Sequence, residues 1–232
     1  MSEPNVNAIT VSRSHLSLRT WVSMSMLTAI AYVVMYLSKM LPQVYGFLQF
    51  DLKDTVICVG GFIFGPLAAA IISIVVPVLE MLFASDTGPI GMIMNVLATA
   101  SFCCTAAFVY KKQHTKKGAI LGLSLGVATL TVVMLVWNYL ITPLYQGVPR
   151  EAVAAMLPTI FLPFNLVKGG LNMAVTLLLY KPVVTALRKA GLAPETQVSM
   201  QKTGRFNAGF ALFTMALLAT FVTIALVLMG IL

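Results

Sequence analysis

Long apolar runs alternate with short polar stretches along this chain, and most of the runs have the length of a membrane-crossing helix rather than of a barrel strand. Residues Met1 to Ser17 form a polar tail that carries Arg13 and His15. The first apolar run predicts a helix from about Leu18 to Met40. It is long enough to span, so no cleavable signal peptide is expected. Ser25, Ala29 and Val33 lie four apart on one side of it, and small residues at that spacing let another helix come close. Gln43 to Lys53 is too short and too polar to span, yet aromatic for a free loop, which suggests a cap packed on a bundle. Asp54 is placed to cap a short second helix, from about Thr55 to Phe64. Gly65-Pro66 breaks the chain, and a third helix runs to about Phe83, with Pro77 expected to kink it. Ala84 to Pro89 has the composition of a turn. A fourth helix runs from Pro89 to about Tyr110. The basic loop from Lys111 to Lys117 precedes a fifth, from about Ala119 to Thr142. Pro143 to Pro158 reads as a connector, and a sixth helix follows from about Thr159 to Leu187. Ala190 to Arg205 is a polar linker, and Phe206 to Leu232 is a last apolar run.

The fold class that follows is all-α: a polytopic membrane helical bundle with a six-helix core and a seventh, C-terminal transmembrane helix. Residues 1–17 are assigned to a tail, 18–189 to the six-helix membrane domain, 190–205 to a linker and 206–232 to the additional helix. Composition agrees, with 59% hydrophobic and only 9% charged residues, against about 25% charged in soluble domains. A formal net charge of +8 invites a nucleic-acid reading, but the placement of the charge argues against it. With the N-terminus in the cytoplasm, cytoplasmic segments hold Arg13, Arg19, Lys111, Lys112, Lys116, Lys117, Lys181, Arg188, Lys189, Lys202 and Arg205. Lys39, Lys53, Arg150 and Lys168 are the remaining cations. This is the positive-inside pattern of a cell-membrane protein in a lipid bilayer, and seven spans place the C-terminus outside. Cys58, Cys103 and Cys104 lie in apolar runs without metal-ligand spacing and read as packing residues.

Within the sixth helix, Asn165, Lys168 and Asn172 are spaced three and then four apart, which puts them on one helical face. A lysine facing lipid there costs roughly 2.5–3.5 kcal/mol. The face is therefore expected to turn inward. Snorkelling of Lys168 to the interface is the competing reading. Asp51, Asp54, Glu80, Asp86, Thr87, Asn138, Asn165 and Lys168 all fall in the outer third of the predicted bundle, whereas the inner half is nearly free of intramembrane charge. An ion path needs polar groups through the whole depth; a pocket open on one side needs them on that side alone.

Five stretches, in order, resemble the riboflavin-specific substrate-binding component, or S component, of energy-coupling factor vitamin transporters. They are Phe47-Leu48-Gln49-Phe50-Asp51-Leu52-Lys53-Asp54, Gly60-Gly61-Phe62-Ile63-Phe64-Gly65-Pro66, Ser85-Asp86-Thr87-Gly88-Pro89-Ile90-Gly91, Asn138-Tyr139-Leu140-Ile141-Thr142-Pro143 and Pro163-Phe164-Asn165-Leu166-Val167-Lys168-Gly169. The resemblance runs from the first helix to about Lys189. It implies a six-helix bundle that takes riboflavin, or its phosphorylated form FMN, near the outer face, with the first loop closing over it as a transported ligand rather than a cofactor. It also implies a transmembrane coupling protein and two cytoplasmic ATPases as partners. This chain carries no phosphate-binding glycine-lysine loop of its own. Family members often carry alanines four apart on the first helix, where the coupling protein docks; here Ser25 and Ala29 stand there. The seventh span exceeds the family pattern.

A flavin site needs an apolar slot, amide-type groups for a uracil-like edge and acceptors for ribityl hydroxyls. Asn138 and Asn165 suit the edge. Lys168 is expected to donate to a ring carbonyl or to pair with Glu80. Asp86, Thr87 and Gly88 are expected at the ribityl end, and Asp51 at the cap. Leu48, Phe50, Tyr139 and Phe164 are candidates for the ring walls, with bundle packing as the competing role of the aromatics. Asn95 suits the site or an interhelical hydrogen bond. No enzyme is expected: His15 and His114 fall in cytoplasmic segments, and Glu80 has no second carboxylate beside it inside a span. The alternative is a stand-alone secondary transporter of a small neutral or anionic solute.

Overall fold

The computed structural model describes residues 18–84, 87–192 and 208–232. The terminal tail and most of the expected linker lie outside them. α1 (Leu18–Ser38) leads through a non-helical segment to α2 (Lys53–Phe64) and α3 (Pro66–Phe83). α4 (Gly88–Gln113) and α5 (Lys116–Gln146) follow. A short α6 (Arg150–Met156) passes through a π-helical turn, Leu157–Phe161, into α7 (Leu162–Lys189), and α8 (Ala208–Leu228) ends the chain. Among the described residues, six helical stretches are long and apolar enough to cross a membrane. The protein is a multi-pass all-α membrane bundle. Side chains such as Trp21, Met26, Ile30 and Val33 on α1 and Leu212, Phe213 and Met215 on α8 are exposed, as a lipid-facing surface requires.

α2 has 12 residues, about 18 Å at 1.5 Å per residue, and so covers only part of a bilayer. It stops at Gly65, whose φ of 94° suits glycine, and Pro66 opens α3 at a position where its missing N–H costs nothing. Asp54 does not cap α2 as expected. Leu52 is the N-cap and has no side-chain cap bond. The Thr55 N–H donates to the Leu52 carbonyl at 3.2 Å and also to Oδ1 of Asn172 from α7 at 3.0 Å. Asp54 lies inside the first turn and accepts from Thr99 Oγ1 at 2.8 Å.

The connector after α5 also differs from expectation. α5 runs through Pro143 to Gln146 and ends on Gly147 with φ 66°, a left-handed C-cap. A buried transmembrane helix tolerates an internal proline when its neighbours re-satisfy the backbone. α6 and the π turn, which contains Pro158, make the rest of the connector helical. Pro77 likewise lies inside an unbroken α3.

Close helix approach is built on glycine. A Cβ at Gly122 of α5 would lie 2.7 Å from the Ala106 carbonyl oxygen of α4, and one at Gly126 would lie 2.7 Å from that of Phe102. One buried apolar cluster, with Ile57, Ile72, Phe102 and Leu130, joins α2, α3, α4 and α5. A second, at one end of the bundle, holds Val44, Leu48 and Phe50 of the α1–α2 segment against Phe161 and Phe164.

Candidate functional site

The α1–α2 segment forms the cap that its composition suggested. Val44 and Leu48 pair backbone to backbone, with N···O distances of 2.7 and 3.0 Å. Tyr45 and Gly46 between them have φ of 53° and 78°. Leu48 and Phe50 turn inward, and the Phe50 ring lies 4.8 Å from that of Phe164. The cap is tied down at both ends. Leu52 N donates to Ser38 Oγ of α1 at 3.4 Å, and Asn172 Nδ2 of α7 donates to the Asp51 carbonyl at 2.9 Å.

The polar stripe of α7 turns inward, and Asn165, Lys168 and Asn172 are all buried. Lys168 does not snorkel. Its Nζ lies 2.8 Å from Asp51 Oδ2, and the Nζ of Lys53 approaches the same oxygen at 2.9 Å. Nor does Lys168 pair with Glu80, as one reading expected. Glu80 is taken by Lys39 at 3.3 Å and by Asn95 Nδ2 at 3.0 Å. Burial opposes ionisation of Asp51, but the two ammonium groups outweigh it and hold its carboxyl well below the ordinary carboxylate range. Its second oxygen, Oδ1, has no hydrogen-bond partner.

Between cap and bundle is a cleft. Phe47, Leu48, Gln49 and Asp51 of the cap line one side. Glu80 of α3, Thr87 and Asn95 at the start of α4, Asn138 of α5 and Phe164, Asn165 and Lys168 of α7 line the others. Asn138 Nδ2 donates to the Met134 carbonyl at 2.7 Å, and Asn165 Nδ2 does the same to Phe161 at 2.7 Å. An amide nitrogen has two N–H groups, and each of these bonds uses one of them. The cleft therefore offers donors from the amides of Asn138 and Asn165 and the ammonium groups of Lys39 and Lys168, acceptors at Glu80 and Asp51, and walls of leucine, methionine and phenylalanine. An apolar side cavity, walled by Trp137, Ile141 and Tyr145, shares Phe47, Leu48, Thr87, Met94 and Asn138 with it.

Nine of the residues singled out from the sequence line the cleft: Leu48, Asp51, Glu80, Thr87, Asn95, Asn138, Phe164, Asn165 and Lys168. Asn95 lines the cleft and also bonds α4 to α3 through Glu80. Phe50 is not a wall; it lies behind Phe164 and is 3% exposed. Tyr139 is 41% exposed, because one residue beyond Asn138 is about 100° further round the helix. Gly88 opens α4 with φ 60° outside the lining, and Asp86 lies outside the described residues. Ser25 and Ala29 are exposed on α1, away from the cleft. Sequence reasoning missed Met35, Ser38, Lys39, Gln43, Phe47, Gln49, Met94, Ala98 and Met134. Lys39 carried a signal, being a second cation close to the predicted cap, but no spacing linked it to Glu80.

Residues 19–180 match the family described as "ECF transporter, substrate-specific component". The chain is 33% identical over 174 residues to the riboflavin transporter RibU of Staphylococcus aureus (strain TCH60), covering 72% of this chain and 92% of that protein. It is 31% identical over 181 residues to the riboflavin transporter FmnP of Bacillus subtilis (strain 168), covering 73% and 95% respectively. A solved structure described as "Structure and mechanism of the S component of a bacterial ECF transporter" aligns with a TM-score of 0.63 at 31% identity, over 73% of this chain and 98% of that one. α8 lies beyond the residues that match the family.

Proposed function

The chain belongs to the family of substrate-specific components of ECF transporters, and from that premise we propose how its cleft works. The protein is the riboflavin-binding subunit of an ATP-driven transporter of this type, and not an enzyme. The observation that carries the reading is the cleft itself. It sets Asn138, Asn165 and Lys168 among apolar and aromatic walls, the groups that a flat flavin with an imide edge calls for. Riboflavin enters as cargo and leaves unchanged. The uracil-like edge faces the two asparagines and Lys168, the tricycle lies between Leu48 and Phe164, and the ribityl chain runs towards Thr87.

The enclosed space is about 110 Å³, below the roughly 300–1,000 Å³ of sites for drug-sized ligands. A tricycle therefore enters only as the cap lifts. Lysine and arginine placement supports a cytoplasmic N-terminus with the cap outside. The vitamin is then captured at the outer face, and energy comes from a transmembrane coupling protein and two ATPases. The exposed small residues Ser25 and Ala29 on α1 support that helix as the docking face. The buried charged residues among those described, Asp51, Lys53, Asp54 and Lys168, cluster at the cap end, which does not favour an ion-driven secondary transporter.

Flavin quenching on titration of purified protein tests the reading, together with extraction of any co-purified flavin. Saturable quenching by riboflavin is expected, with FMN as the comparison ligand. Absence of quenching by either would refute the proposal.

A further inference from the structure

α8 is the part of the fold that the family match leaves unexplained. One stripe of it faces protein: Thr214, Leu218, Phe221, Ala225 and Leu228 are buried or half-buried. Their spacing of four, three, four and three is that of a helix seam. The stripe makes no polar link, since Thr214 Oγ1 bonds back to its own helix at Phe210 and Ala211, both at 3.0 Å. What it offers is shape. The Phe221 ring sits on Gly170 of α7 so closely that a Cβ there would lie 2.3 Å from it. Gly169 beside it faces α5, where a Cβ would lie 3.0 Å from Val127.

Gly170 is two residues beyond Lys168, about 200° round α7. The ring therefore presses on the back of the helix whose front carries Asn165 and Lys168 into the cleft. One turn beyond Phe221, Ala225 is 3% exposed and belongs to the buried cluster that includes Leu48 and Phe164, a cap wall and a bundle wall of the site. Leu228 and Met229 pack against the same cluster.

We propose that α8 is a positioning element of the riboflavin site, which seats Phe221 in the Gly170 notch and, with Ala225, completes the cluster that holds Leu48 and Phe164, and so slows release of the bound vitamin. This rests on the riboflavin reading above. Loss of the ring lets α7 and the cap wall relax together, and the effect falls on dissociation rather than on encounter.

The test uses full-length protein and stopped-flow flavin fluorescence. Wild-type quenching is established first; without it the riboflavin reading fails, whatever α8 does. Phe221→Ala is expected to raise the off-rate roughly three- to tenfold with the on-rate nearly unchanged, an effect of the size expected for coupled contacts. Phe213→Ala, on the exposed side of the same helix, leaves both rates at wild type. Gly170→Ala raises the off-rate by displacing the ring, and Gly170→Ala with Phe221→Ala is no worse than Phe221→Ala alone, because the clash is gone. Phe221→Leu keeps apolar volume and restores most of the retention, which also covers the case of an alanine variant that fails to fold. An off-rate unchanged in Phe221→Ala and Gly170→Ala, or raised equally by Phe213→Ala, overturns the proposal.

Discussion

Asp51 Oδ2 and Lys168 Nζ lie 2.8 Å apart across 117 positions of sequence. That contact fastens the cap to the helix that brings Asn165 and Lys168 to the cleft. Lys168 thus both pairs with Asp51 of the cap and lines the cleft.

Lys168→Met is expected to remove both. Asp51 keeps Lys53 at 2.9 Å, so the bundle still folds. Loss of a charged donor, worth about 1.5–3 kcal/mol, weakens riboflavin binding roughly ten- to a hundredfold. Quenching titration normalised to folded protein is the check, and unchanged affinity would remove Lys168 from the site.

Leu48→Ala opens the cap wall. Its side chain is 8% exposed and belongs to the cluster shared by cap and α7. The off-rate is expected to rise about tenfold and the on-rate to change much less, since truncations at a contact act mainly on dissociation. Stopped-flow fluorescence separates the two; equal off-rates would mean that the cap packs on the bundle without gating it.

Ala29→Leu tests docking. The residue is exposed on α1, away from the cleft, so riboflavin affinity should match wild type. Co-purification with the coupling protein should fall, because the larger side chain fills a close helix contact. Undiminished co-purification would move the docking face elsewhere.

Asp51 also sets a pH dependence. Its carboxyl is held below the ordinary range by Lys168 and Lys53 against the cost of burial. A depressed folded-state value contributes stability that is complete above the unfolded value of about 3.9 and is lost as pH falls below it. Riboflavin retention and the thermal midpoint are therefore expected to stay level from pH 8 to pH 5 and to fall below about pH 4. A loss centred near pH 6.5 would point to a histidine and contradict this assignment.

The bundle was legible because apolar run length and cation placement are local properties of the sequence. The stripe Asn165, Lys168 and Asn172 was legible for the same reason, as helical periodicity decides which side chains share a face. Partner choice was not. Nothing local tells Lys168 to take Asp51 and leave Glu80 to Lys39; that depends on how deep α2 starts and where the cap folds back. Tyr139 was misread because a helix turns a neighbour of Asn138 towards lipid. Pro143 and Pro158 read as stops, yet one lies inside α5 and the other in a π turn, where tertiary packing overrides the local penalty.

α8 has a further consequence for the two ends of the molecule. Ser23, near the start of α1, donates to the Leu192 carbonyl just beyond α7 at 2.8 Å, at the end of the bundle opposite the cap. Leu228 and Met229 pack into the cap cluster, and Leu232, three residues further on, is 73% exposed. On the proposed reading, in which the cap lifts to admit riboflavin, a fluorophore attached at Leu232 would sit at the cap end of the bundle. Paired with a second dye on the exposed side chain of Tyr45, it would turn the proposed opening and closing of the cap into a distance signal, without a label on any residue of the cleft.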